Sequence, residues 1–199
     1  MTRRPGAEIP DVVTHYHLAG RPPFLNLSDL PDDKLAEVLR TLERERSEGT
    51  SARVFGRRYM ELRRRTEEKL RALFIDVGGR PERRAPHYFV LGSSPWYRGL
   101  AAEMGEVVLP LAALPSEVSS VTASDSVTAM GFGGDYGLPL VRRASHGRVF
   151  RLEELADVID TFGLPSSGPG GYDGYQNRPF EKYIEIQLWS DGPLTSLMA

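Results

Sequence analysis

Near its C-terminal end the chain alternates apolar and polar side chains over Phe180-Glu181-Lys182-Tyr183-Ile184-Glu185-Ile186-Gln187-Leu188-Trp189. Successive side chains of a strand leave on opposite faces, so Ile184, Ile186 and Leu188 share one side, and Tyr183, Glu185, Gln187 and Trp189 the other. The first face reads as core. The second carries a carboxylate and an amide between two aromatic rings, which fits either the wall of a small-molecule cleft or the solvated face of an antiparallel strand. Directly before it lies a loop, Ser166 to Pro179, rich in Gly and Tyr and able to close over a ligand.

Upstream, Asp11-Val12-Val13-Thr14-His15-Tyr16-His17-Leu18 predicts a short strand, ended by Gly20 and the Pro22-Pro23 pair. A helix is expected from Pro31, because proline suits a first turn and Asp32 and Asp33 suit the positive end of the helix dipole. Leu35, Val38, Leu39 and Leu42 form its apolar stripe, and Gly49 supplies a stop. A longer helix is expected from Phe55 to Val77, with Tyr59, Leu62, Leu70, Leu73 and Phe74 at helical spacing and Gly78-Gly79 ending it. The two helices read as a hairpin packed on a sheet.

From Pro86 onward the pattern is β-rich. Strands are expected at His87–Gly92, Glu106–Leu111, Val118–Thr122, Arg148–Arg151 and Lys182–Trp189, with a turn at Ser93-Ser94-Pro95 and a short helix at Glu153–Phe162. This order predicts an α+β fold in a single domain, residues 1–199, with a helical part at about 31–79 packed on a mostly antiparallel sheet at about 86–192.

Composition narrows the chemistry. Among 199 residues, 40% are hydrophobic and 26% charged, as in ordinary globular proteins, and no apolar run is long enough to span a bilayer. The basic N-terminus lacks the apolar stretch of a secretory signal, so no membrane partner and a cytoplasmic location are expected. With no cysteine, disulfides, a thiol nucleophile and Cys-ligated metals are excluded. The net charge of −2 hides an uneven distribution, since Arg53 to Arg84 holds eleven Arg or Lys against five Asp or Glu. Such a run can attract a dinucleotide or a nucleic acid. The plainer reading is a solvated helix face laced with ion pairs.

No Walker loop, Rossmann fingerprint or Gly-x-Ser-x-Gly elbow occurs, and Gly131-Phe132-Gly133-Gly134 lacks the context of a phosphate loop. The four histidines, His15, His17, His87 and His146, show no metal-ligand spacing on a helix, and no metal is expected. What remains are polar residues at strand ends: His15, His17, His87, Tyr88, Ser124-Asp125-Ser126, Glu185 and Gln187, with Tyr172 and Tyr175 in the loop. Asp125, between two serines, reads as a turn or helix cap.

These blocks together resemble the DarT-type, DNA-targeting ADP-ribosyltransferase toxins, which use NAD. Tyr16-His17 is similar to the Tyr-His pair on that family's first strand. His87-Tyr88-Phe89-Val90-Leu91-Gly92-Ser93-Ser94-Pro95-Trp96-Tyr97 resembles its aromatic strand, turn and Ser-Pro segment, with Ser93 where the family has Arg. Ser124-Asp125-Ser126-Val127-Thr128-Ala129 echoes an Asp-Gly-Asn-Ala segment, and Lys182 to Leu188 with Pro193 looks like the closing Glu-bearing strand. The chain as a whole also looks like a group of actinobacterial proteins carrying Pro-His-Tyr-Phe-Val-Leu-Gly and Glu-Lys-Tyr-Ile-Glu, a likeness that brings no function with it.

The resemblance implies an ADP-ribosyltransferase-like fold and NAD as substrate, with a nucleic acid or other macromolecule as acceptor. It implies Glu185 and His87 as catalytic residues, and His17, Tyr88, Arg57 and Tyr172 as NAD contacts. Tyr175, Gln176 and Gln187 would meet the acceptor. Arg53, Arg57 and Arg58 are its candidates for a catalytic arginine. Two other classes stay open: a metal-independent ribonuclease using His87, Glu185 and an Arg, and a binding module in which Tyr183, Gln187 and Trp189 form a contact surface.

Overall fold

A computed structural model of the chain describes residues 8–50, 58–101, 103–137, 142–164 and 183–198. Six strands form one sheet: β1 (Val12–Leu18), β2 (His87–Leu91), β3 (Met104–Pro110), β4 (Ser119–Thr122), β5 (Phe150–Arg151) and β6 (Glu185–Leu188). Their order is β3-β1-β2-β6-β4-β5, and every neighbouring pair runs antiparallel. Among the described residues six α-helices accompany them: α1 (Asp32–Ser47), α2 (Tyr59–Asp76), α3 (Pro95–Arg98), α4 (Ser126–Met130), α5 (Leu155–Phe162) and α6 (Thr195–Met198). The molecule is a single α+β domain, as the order of patterns predicts.

Local chemistry explains the element ends. Asp32 and Asp33 open α1, Arg44 and Arg46 close it, and Leu35 and Leu42 are its buried positions. On α2 the stripe of Leu62, Thr66, Leu70 and Phe74 is buried, as the spacing predicts. Two short helices take the place of expected turns. Ser94 caps α3 by accepting from the Tyr97 N–H, and Asp125 caps α4 by accepting from the Thr128 N–H. Asp125 is thus the helix cap its setting between serines suggests. Phe55, with Arg53 and Arg57, and the whole Ser166 to Pro179 loop lie outside the described residues.

Register assigns every inward residue to one of two faces. On one, Val13, Phe89, Leu91, Val121, Ile184, Ile186 and Leu188 pack with Leu155, Val158 and Ile159 of α5. On the other, Trp189 packs with Leu70 and Phe74 of α2 and with Ala129 and Met130 of α4. The alternative of a solvated face on the last strand is therefore overturned. Helices α2 and α4 cover that side, and Tyr183, Glu185, Gln187 and Trp189 are all buried.

One discontinuity positions the site. β1 pairs with β3 at seven positions, from Val12↔Pro110 to Leu18↔Met104, but with β2 only at Val13↔Leu91 and Thr14↔Val90. Beyond Thr14 a side chain of β1 spans the gap to β2, and a second bond ties the segment after β1 to the residue before β2. His15 Nδ1 meets the Tyr88 carbonyl at 2.9 Å, and Asn26 Nδ2 donates to the Pro86 carbonyl at 3.0 Å.

Candidate functional site

A cavity of about 230 Å³ opens where β1 and β2 part, between the polar face of the sheet and α2. Its walls include the rings of Tyr16, Tyr88, Tyr97 and Tyr183, the carboxyls of Glu185 and Asp125, and Arg63 and Thr66 of α2. Each is placed by an element already described. Tyr16 and Tyr97 stack with centroids 5.1 Å apart, and Tyr97 Oη lies 3.2 Å from Tyr183 Oη. Tyr16 Oη accepts the Ser94 N–H at 2.7 Å, which ties β1 to the start of α3.

Glu185 is 4% exposed. Register puts it across from Val90 on β2 and Thr122 on β4, on the face that α2 and α4 cover. Its Oε1 accepts from the Ser126 N–H at 3.2 Å and from Gln187 Nε2 at 3.1 Å. Burial, reinforced by the Asp125 carboxylate, pushes this carboxyl up to about 8, against the pull of those two donors. A carboxyl perturbed in this way in a cavity wall is a candidate functional group.

Arg63 of α2 is half-buried at the cavity, and its partner Glu67 is buried. Arg63 pairs with Glu67 at 3.0 Å, one helical turn on, and donates to Tyr59 Oη, Asn26 Oδ1 and Ser28 Oγ at 2.9–3.1 Å. Its guanidinium sits 5.0 Å from the centre of the Tyr88 ring, and Tyr88 Oη donates to Glu67 at 3.1 Å. Arg63 therefore pins the segment around Asn26 to the cavity rim. Thr66 adds an unusual feature: its hydroxyl is buried with no hydrogen-bond partner among the described residues. A buried hydroxyl in that state is an open request for a polar ligand atom.

The expected site residues fall into four groups. Glu185 and Tyr88 line the cavity together. His87 reaches the same cavity from the opposite face of the sheet, paired in register with Leu188. Its Nε2 donates to Asp191 Oδ1 at 2.7 Å within a cluster that also holds Arg83, and burial lowers its basicity. Its side chain leaves the sheet on the face opposite Glu185, and its ring nitrogen is committed to Asp191.

His17 and Gln187 are displaced from their expected roles. The His17 ring lies over Gly105, its register partner on β3, where any side chain would overlap the imidazole. His17 Nδ1 is occupied by the Leu18 and Arg21 carbonyls. Among the described residues the cavity lining takes in His15 and not His17. Gln187 is wholly buried and its amide is committed to Ser120, Thr122 and Glu185, so it supports the acid and meets no acceptor. Arg57, Tyr172, Tyr175 and Gln176 lie outside the described residues.

Sequence reasoning missed Arg63, Thr66, Asn26, Tyr16 and Tyr97 as site residues. The Arg63–Glu67 spacing was a signal that could have singled out Arg63, whereas Asn26 gives none. The arginine-rich stretch is ion-paired, through Arg58–Glu61, Arg64–Asp32, Arg65–Asp135 and Arg84–Glu68, as the plainer reading of its charge predicts. Among the described residues no group of three or more His, Asp or Glu side chains is arranged to hold a metal ion. No described helix is long and apolar enough to cross a membrane. Comparison with protein-family models, with curated proteins and with solved structures returned no match.

Proposed function

We propose that the protein is an NAD-dependent ADP-ribosyltransferase, cytoplasmic, acting on a nucleic acid or another macromolecular acceptor. The observation that carries this reading is Glu185, a buried carboxyl in the wall of a cavity lined by tyrosine rings. Breaking the bond between nicotinamide and ribose leaves positive charge on the sugar while nicotinamide departs with the electron pair. An ionised Glu185, fixed on β6 and out of water, stabilises that charge as it forms. The acceptor then supplies the new bond to the sugar carbon and loses a proton.

The lining suits the nicotinamide–ribose end of the substrate. Tyrosine rings offer flat apolar walls, and the unpartnered Thr66 hydroxyl offers a hydrogen bond to an amide. At about 230 Å³ the cavity is smaller than the roughly 300–1,000 Å³ of sites that take a whole drug-sized ligand. One end of a dinucleotide is the right scale. A ribonuclease needs His87 and Glu185 at one phosphate, and their side chains leave the sheet on opposite faces.

The test is nicotinamide release from NAD by the full chain and by Glu185→Gln. Release should fall by about a hundredfold or more, as when a single electrostatic stabiliser is removed, with the circular dichroism spectrum unchanged. An equally active, folded variant would remove the reading.

A further inference from the structure

Trp189, Ser120, Gln187 and Glu185 form one directed hydrogen-bond chain beneath the cavity. An indole N–H can only donate, and Trp189 Nε1 donates to Ser120 Oγ at 2.8 Å. Ser120 in turn gives its hydroxyl hydrogen to Gln187 Oε1, 2.7 Å away. With the Gln187 oxygen on Ser120, its nitrogen donates to Thr122 Oγ1 at 2.9 Å and to Glu185 Oε1 at 3.1 Å. Thr122 passes its own hydrogen to the Ser124 carbonyl at 2.7 Å. None of these side chains is more than 4% exposed. With the Ser126 N–H also on Oε1, a hydrogen on this carboxyl belongs on Oε2.

We propose that this chain is a positioning device for Glu185: it holds Oε1 as an acceptor and leaves Oε2 as the one oxygen that takes up or gives up a proton toward the cavity, so that a positively charged flat ligand enters with release of one proton. The inference rests on the reading of Glu185 as the working group of the cavity. In the exchange the O–H bond of the carboxyl breaks, its electron pair stays on Oε2, and the proton passes to solvent. The ligand's positive charge takes the proton's place as counter-charge.

The surroundings support a swap of this kind. Facing Glu185 are Asp125 at the start of α4, Tyr88 from β2 and Tyr183 just before β6, with Tyr97 of α3 behind Tyr183. From α2 come Arg63 and Glu67, which pair with each other. Two carboxyls and a ring of tyrosines favour a flat cation. At neutral pH the carboxyl holds its proton, since burial and Asp125 raise it to about 8. The unpartnered Thr66 hydroxyl in the same wall points independently to a ligand.

The experiment is calorimetry of 1-methylnicotinamide, a flat cation methylated on its ring nitrogen, and of neutral nicotinamide, on the full chain in two buffers of different ionisation heat. About one proton should be released per cation bound and none with nicotinamide. Affinity for the cation should rise about tenfold per pH unit between pH 6 and 8. Gln187→Met keeps the volume and removes the N–H that favours the ionised carboxylate, so the midpoint of that profile should move up by about one unit. A purely structural role would lower the melting temperature and leave the midpoint in place.

Ser120→Ala, which releases the orientation of the same amide, serves as the second variant should Gln187→Met not fold. Cation binding without proton release, no cation binding at pH 9, or an unmoved midpoint in a folded variant overturns the proposal. NAD cleavage with no proton released on cation binding would leave the proposed activity standing and remove this inference. Proton-linked binding of the cation without NAD cleavage would do the reverse.

Discussion

On one face of β6, Ile184, Ile186 and Leu188 meet Val13, Phe89 and Val121 and are held by apolar burial alone. On the other, a hand's breadth of backbone away, Glu185 and Gln187 meet Ser120, Thr122 and Tyr88, and the same degree of burial is sustained by directed hydrogen bonds. Apolar packing tolerates approximate fit and contributes stability in proportion to area. A buried polar network contributes little net stability, and any member left unpaired is costly. The first face keeps the sheet folded. The second gives up stability to hold one carboxyl in a fixed orientation at a cavity wall.

The comparison breaks most sharply on pH. Glu185 keeps its proton up to about 8 in the folded chain, against 4.5 in the ordinary state, so the folded form binds more protons across that window. Stability therefore falls as pH rises from 4.5 to 8 and is level above it. Glu185→Gln removes this loss, and should be more stable than the parent by roughly 4 kcal/mol at pH 9 and no more stable at pH 4. Urea unfolding at the two pH values reads it directly. A variant less stable at both would mean the polar face supports the fold as the apolar face does.

On that apolar face, Phe89→Ala should cost about 3–4 kcal/mol at every pH, by the transfer and cavity losses of a fully buried ring. A pH-dependent loss would blur the distinction between the faces. Ser120→Ala comes next. It strands the Trp189 N–H and loosens Gln187, at a cost of about 2 kcal/mol in equilibrium unfolding. Tyr88→Phe is the mildest, removing one hydroxyl donated to Glu67 for about 1 kcal/mol in equilibrium unfolding.

The same contrast governs what could be read from the chain. Helix and strand periods located both long helices and all six strands, because burial writes itself as spacing. The apolar face of the last strand was legible for that reason. Its other face was ambiguous, since a Tyr-Glu-Gln-Trp row reads alike whether water or a helix covers it. Only the placement of α2 and α4 decides that, and α4 has too few residues to leave a periodic trace. Strand position points to Glu185 and Tyr88, which line the cavity, whereas the Tyr-His resemblance points to His17, which does not, and passes over His15, which does. The seat that Gly105 offers His17 comes from a register across to β3, which local sequence does not reveal.

The parting of β1 from β2 makes a two-strand leaf of β1 and β3, swung from Val13 and Thr14. Past that hinge one catch is the His15 imidazole. His15 Nε2 accepts the N–H of Phe24, so its hydrogen resides on Nδ1, toward the Tyr88 carbonyl. Phe24 takes up a left-handed backbone at φ 63° and stacks on the same ring at 4.5 Å. Burial holds His15 uncharged down to about pH 4. Below that, a second ring hydrogen would turn the Phe24 amide's acceptor into a rival donor, and the catch would let go. Amide exchange at Phe24, slow at neutral pH, should then outpace that of Val13 on the fixed side of the hinge, with acid acting as the key.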